Sequence, residues 1–164
     1  MNRRQFVQKA GALTLAGALP LYSWAQGAGK DNGKDKESPL IYLSTIKSNG
    51  ALSKCQAEVW FVQDGADQYV VTARDAWRAQ AVRQGLTRTQ VWVGDVGQWQ
   101  SAGGAYLELP SHFATASFST DAAEHTRLLS IFGQKYSDEW GSWGPRFRNG
   151  LASGERVMLR YRPA

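Results

Sequence analysis

Between Ile41 and Arg74 the chain presents three β-rich runs separated by Ser48-Asn49-Gly50 and by Asp64-Gly65. These are short connections whose Asn and Gly tolerate positive φ, and they favour hairpins. Strands joined so tightly pair antiparallel, because a parallel pair needs a crossover of about a dozen residues or more. The middle run, 54–62, alternates cleanly. Cys55, Ala57, Val59 and Phe61 share one apolar face, which suits a core, while Lys54, Gln56, Glu58 and Trp60 share the other, which suits a half-wet groove. The pattern predicts a β-meander over 41–47, 54–62 and 68–74.

The rest of the chain alternates between both periods. Asp75 is the expected cap of a helix over 76–85, with Ala79, Val82 and Leu86 on one side and Arg78 and Arg83 on another. Residues 90–96 are β-branched and aromatic. The segment 97–110 contains Gly103-Gly104 and reads as a loop with a short strand at 106–109, followed by a strand at 113–119. Asp121 and Glu124 have capping-box spacing, and Leu128, Leu129, Phe132 and Tyr136 then repeat at helical intervals. Residues 140–150 read as an aromatic, glycine-rich turn, with Trp140, Trp143 and Phe147 forming a lid, an interface or a packed cover over one end of the domain. A final strand spans 156–162. The sum is an α+β domain with a mostly antiparallel sheet of about six strands and two helices, and closing that sheet into a barrel removes its edges.

Composition narrows the functional classes. At 164 residues and 43% apolar content the chain suits one domain with its own core. The lone Cys55 cannot form an internal disulfide and reads as a small buried hydrophobe. With only His112 and His125 beside it, a closed Cys/His zinc site is excluded, and no metal site is predicted. No P-loop, dinucleotide fingerprint or Gly-x-Ser-x-Gly elbow is present.

The net charge of +5 invites a nucleic-acid reading, but Arg3, Arg4 and Lys9 supply three of those charges with no acid before Asp31, so the chain beyond residue 25 carries only +2. No nucleic-acid partner is expected. Residues 1–25 resemble a twin-arginine export signal: Arg3-Arg4-Gln5-Phe6-Val7, a weakly apolar stretch over 10–19, Pro20, and Ser23-Trp24-Ala25 at the cleavage site. That stretch is too short to span a bilayer, so no stable membrane anchor is expected after cleavage. Export to the periplasm or beyond a bacterial cell follows. Residues 26–38, rich in Gly, Lys, Asp and Asn, read as a tether, and 39–164 as the folded domain.

The order of these elements resembles the flavin-binding split β-barrel family of pyridoxamine 5'-phosphate oxidases and deazaflavin-dependent reductases. The likeness rests on Val59-Trp60-Phe61-Val62, the Asp64-Gly65 turn, Tyr69-Val70-Val71-Thr72, a basic helix, and Val91-Trp92-Val93-Gly94. It implies a split barrel that forms a homodimer, binds FMN or a deazaflavin coenzyme and acts on a small-molecule substrate. Matching positions for the cofactor phosphate are Thr72, Arg74, Arg78 and Lys54, since arginine offers bidentate donors and threonine a hydroxyl. Trp60 and Trp77 are placed to flank the flavin ring by stacking. Glu58 stands where many relatives carry proline.

Two functions are therefore in play. One is an exported flavin- or deazaflavin-dependent oxidoreductase, in which the cofactor carries the chemistry and the protein orients it. The other is a non-enzymatic periplasmic protein that binds flavin or haem, with His112 and His125 as the only histidine ligands available.

Overall fold

The computed structural model describes residues 38–164, position 55 excepted. The export signal, most of the tether and Cys55 therefore lie outside the described residues. The described residues form seven strands: β1 (Ile41–Thr45), β2 (Ala57–Val59), β3 (Val62–Asp64), β4 (Asp67–Ala73), β5 (Arg88–Val93), β6 (Ser111–Ser119) and β7 (Arg156–Pro163). The helices are α1 (Trp77–Arg83), α2 (Ala122–Lys135) and α3 (Ser137–Ser153). All strand pairs are antiparallel, in the order β2-β1-β5-β6-β7-β4-β3.

The two outermost strands of that order, β2 and β3, are consecutive in the chain, with only Trp60 and Phe61 between them. Three residue steps span about 10 Å at most. The sheet's two edges must therefore meet, and the predicted strand 54–62 is the seam that joins them, broken into β2 and β3 where it passes from one partner to the other. Counting the seam once gives a six-stranded barrel.

Alternation sorts the side chains to the two sides of this wall. Ile41, Leu43, Phe61, Val70, Val91, Leu159 and Tyr161 pack inside. Val62, Tyr69, Val71 and Met158 point outward and are covered by Leu128, Leu129 and Phe132 of α2, with Tyr136 and Phe147. A third cluster, Tyr42, Trp92 and Tyr106 with Leu40, Val96, Trp99 and Leu109, covers the outside of β1 and β5.

Three local expectations change. The predicted strand at 106–109 is a 3-10 turn, Ala105–Glu108, entered from Gly104 at φ 87°. Asp75 does not cap α1: Ala76 occupies the cap position and no side chain bonds there. Most consequential, the glycine-rich stretch 140–150 lies within the 17-residue helix α3. Trp140, Trp143, Phe147 and Leu151 recur on one side of it and join the outer cluster, so burial of an aromatic stripe outweighs the intrinsic cost of Pro145 and three internal glycines. Gly154 ends the helix in the left-handed region, at φ 78°.

Asp121 does cap α2, its Oδ1 accepting from Glu124 N at 2.6 Å. The Glu124 carboxylate turns instead to the sheet, accepting from Tyr69 Oη and Ser119 Oγ, so it fastens the helix start to β4 and β6. Among the described residues no helix is long and apolar enough to cross a membrane.

Candidate functional site

The C-terminal end of β4 and the start of α1 bring together three of the residues singled out above. Register pairs Thr72 with Val157 and Val62 with Tyr69. Thr72 therefore shares the inner side of the wall with Val70, and it is buried at 3% exposure. Its Oγ1 accepts a hydrogen bond from Arg78 Nη1, which reaches across from α1. The guanidinium charge is felt within the barrel: burial pushes the Tyr161 phenol far above its ordinary range, and Arg78 partly offsets that rise. Trp77, next to Arg78, lines with it a small hollow of about 20 Å³ whose other walls are Leu43 and Thr45 of β1 and Ala57 of β2. Trp77 Nε1 is buried and meets no acceptor among the described residues.

Arg74 belongs to a different hollow. With Asp75, Gln80 and Glu155 it lines an open depression of about 430 Å³ on the far side of the β4–α1 turn. Its main chain is pinned there, N to Glu155 O at 2.8 Å, and its carbonyl accepts from Arg83 Nη1 at 2.6 Å. Arg83 thus stabilises the turn, and its guanidinium also lies 5.3 Å from the Phe118 ring centre. Two carboxylates accompany Arg74, whereas among the described residues none lines the hollow of Arg78.

The remaining expected residues are elsewhere. Lys54 is exposed on the loop before β2 and lines neither hollow. Trp60 falls on the outer face with Tyr69 and Val71, stacked on Tyr136 at 4.3 Å and met edge-on by Trp143 and Phe147. It is on the opposite side of the wall from Thr72, so the groove face expected for it is an aromatic core. Glu58, the acidic departure next to it, also faces outward, paired with Tyr42 and accepting from Trp99 N at 3.3 Å. That places its charge across the wall from Ala57 and the Arg78 hollow.

The histidines are far apart. His112 is the second residue of β6, whereas His125 on α2 pairs through Nε2 with the carbonyl of Ser119 at that strand's end. Seven residue steps along β6 separate His112 from Ser119, about 23 Å, so the two histidines cannot ligate one iron within a protomer. Among the described residues no three His, Cys, Asp or Glu cluster as metal ligands. Thr45 is the residue that the sequence reading missed. It follows Ser44 at the polar end of β1, and only the closure of β2 onto β1 brings it to the hollow.

No family model matches the sequence, and no curated protein is similar to it. The fold, by contrast, recurs among solved structures. HutZ, the haem storage protein of Vibrio cholerae, matches with a TM-score of 0.56 and 16% identity, over 79% of this chain and 84% of HutZ. The chain has a split β-barrel fold. The same split barrel matches a candidate pyridoxamine 5'-phosphate oxidase from Listeria innocua (TM-score 0.51, 13% identity, 80% of this chain and 88% of that one). It also matches General Stress Protein 26 of Bacillus anthracis (0.51, 16%, 77% and 80%). At these identities the likeness is one of fold.

Proposed function

We propose that this split barrel is an exported oxidoreductase that binds FMN or a deazaflavin coenzyme as a homodimer, with the cofactor phosphate held at the β4–α1 junction. The observation that carries the reading is Arg78, a cation anchored by Thr72 and bordering a hollow that no carboxylate lines among the described residues. Arginine has five donors and only one is committed to Thr72, so the guanidinium can still grip a phosphate that carries nearly two negative charges. Trp77 Nε1–H is a further donor with no acceptor of its own.

The hollow has room for one phosphate oxygen and none for a whole flavin inside one protomer. A hollow of about 20 Å³ is the size of one ordered water, so the three-ring system has to lie against the outer surface. A second copy of the chain then supplies its other wall. When bound, the flavin supplies hydride transfer. The protein's part is to bind the phosphate, orient the ring and exclude water from it. Export by the twin-arginine route belongs to the same proposal, since that route carries folded proteins with their cofactors.

A second reading is supported by the fold match to HutZ, named as a haem storage protein: a non-enzymatic binding barrel for haem or flavin. Arg74, flanked by Asp75 and Glu155, also favours it, because acids beside a cation weaken its hold on phosphate.

An absorption spectrum of the mature protein, with mass spectrometry of the released ligand, separates the two. A flavin or deazaflavin band that Arg74→Ala/Arg78→Ala abolishes is the expected result. Full occupancy in the double variant would remove the phosphate site. A Soret band would favour storage over redox chemistry, and a colourless protein that takes up no added flavin would end the oxidoreductase reading.

A further inference from the structure

We propose that the outer face of β5, β6 and β7 is a docking surface for an acidic protein segment, with Arg88 and Phe113 at its centre. The face shares no residue with the hollow of Arg78 or the depression of Arg74, so the proposal stands apart from the flavin reading.

The ladder sets Arg88 beside Thr115 and Thr115 beside Arg162, with Gln90–Phe113 and Ser117–Arg160 as flanking pairs. Cross-strand partners share a face, and Val91, Ala114, Ala116, Leu159 and Tyr161 take the inner one, so these side chains point outward. Elsewhere the outer wall is covered, by α2 and α3 over β3, β4 and the start of β7, and by the Tyr106 turn over β1 and the end of β5. Here no described element lies on it. Arg88, Phe113, Thr115 and Arg162 are all exposed, Phe113 by 38%.

An antiparallel sheet often leaves one face to water, but this one carries an open aromatic ring and three braced arginines. The Arg88 guanidinium lies 4.6 Å from the centre of the Phe113 ring. Arg160 Nε donates to Ser117 Oγ at 3.3 Å, and Arg162 grips Asp67 with two bonds of 3.0 and 2.8 Å. Arginine and aromatic side chains are enriched at the centres of protein interfaces, and side chains already held in place lose less freedom on binding.

Charge selects the occupant. Three guanidiniums share one carboxylate, that of Asp67, which is sunk among them with 11% of its side chain exposed. Arg88 enters no ion pair among the described residues. A second copy of this face would set like charges against each other. A nucleic-acid strand would need many phosphate contacts and a free ring to stack on, whereas Arg88 already covers one side of Phe113. The face lacks carboxylates for Arg88 on β5 and for the spare donors of Arg162 on β7, about 10 Å apart, and an apolar side chain for Phe113 between them. A segment in which acidic and apolar residues alternate supplies both.

The test adds a short peptide of alternating aspartate and leucine to the folded protein and follows the Arg88 Nε–H and the Phe113 main-chain N–H in ¹H–¹⁵N spectra. A lysine–leucine peptide, an oligothymidylate and phosphatidylglycerol vesicles are added separately. Both signals should shift with the aspartate peptide, and the shifts should shrink as salt is raised. Arg88→Glu should weaken that binding about tenfold, as for the loss of a hydrogen bond to a charged group, and strengthen binding of the lysine peptide. A reversal of that kind does not arise from damage to the fold. No shift at millimolar aspartate peptide would overturn the proposal, and so would equal binding by Arg88→Glu. Shifts with oligothymidylate or vesicles alone would assign the face to phosphate groups and overturn the acidic segment. Signals that move with protein concentration alone would place a second copy on this face and overturn it as well.

Discussion

The Trp60 ring lies flat on Tyr136, centroids 4.3 Å apart and 7° from parallel, and this contact locks the barrel seam to the junction of α2 and α3. Where β2 ends and β3 begins, Phe61 leaves the strand ladder, and its main-chain groups need other partners. Tyr136 Oη accepts from Phe61 N at 2.9 Å and lies 2.8 Å from the carbonyls of both Phe61 and Pro39. One hydroxyl proton serves one carbonyl at a time. Lys135 Nζ, 3.1 Å from Phe61 O, covers the other.

Tyr136→Phe keeps the stacked ring and strands the buried Phe61 N–H. It should cost about 1–3 kcal/mol, the penalty for a buried donor left unpaired. Trp60→Ala, which also opens a cavity between barrel and helices, should cost about 3–5 kcal/mol. Urea unfolding of both variants checks the order. A neutral Tyr136→Phe would mean that stacking alone holds the seam.

Two glycines grip Trp140 from either side of the α2–α3 pair, and they fix the sign of a second prediction. A Cβ at Gly133 would stand 2.7 Å from Trp140 Nε1, and one at Gly144 would stand 2.8 Å from its Cε2. Alanine at Gly133 gains about 1 kcal/mol of helix propensity but pushes a packed indole aside, an overpacking cost of about 1–3 kcal/mol. Gly133→Ala should therefore lower the melting temperature. Gly141→Ala, on the same helix pair with nothing within 4 Å of its Cβ, should raise it. Shifts of the same sign in both would refute the close packing.

The same glycines explain what the sequence conceals. The meander, the seam strand and the α2 cap are legible because alternation, Asn-Gly and Asp-Gly turns and the Asp121–Glu124 spacing are local signals. Helix α3 is not legible, because Gly141, Gly144, Gly150 and Pro145 all argue against a helix locally, and the burial that favours it depends on where α2 and the barrel wall lie. The site divides similarly. Thr72, Trp77 and Arg78 are neighbours through one turn and can be grouped from sequence. An unbroken strand with one wet face would put Trp60 in a groove, whereas that face is covered by helices that arrive 60 to 90 residues later. Arg74 is four residues from Arg78, yet the turn after β4 sends the two to separate hollows.

Gln68 offers a stability test inside the barrel. It is 2% exposed, and its Oε1 has no hydrogen-bond partner. Gln68→Met preserves the shape of the side chain and removes the unpaired oxygen, so it should stabilise the fold by about 1 kcal/mol. Gln63, opposite it in the β3–β4 register, also has an Oε1 without a partner, but its Nε2 donates to Gly65 O at 3.2 Å; Gln63→Met loses that bond as well, so it should gain less than Gln68→Met. Thermal melts of the two variants discriminate between them. Destabilisation by Gln68→Met would show that the oxygen is satisfied in solution by an internal water.

Lys135 makes stability depend on pH in a direction opposite to the usual ion pair. Burial against the seam lowers its amine to about 8 from an ordinary 10.5, and Nζ sits 3.6 Å from the centre of the Phe61 ring. Below pH 8 the amine is protonated in both folded and unfolded chains, so stability is flat there and at its lowest. Between 8 and 10.5 the unfolded chain binds the proton and the folded chain does not, so stability rises with pH. Above 10 the Tyr136 and Tyr161 phenols, both pushed up by burial, work the other way, because the unfolded chain releases their protons first. The clean window is therefore pH 8 to 10. Denaturation midpoints across it should climb for the wild type and lose that climb in Lys135→Met, whatever the variant's absolute stability. Parallel curves for the two proteins would show that the amine titrates as if it were in water.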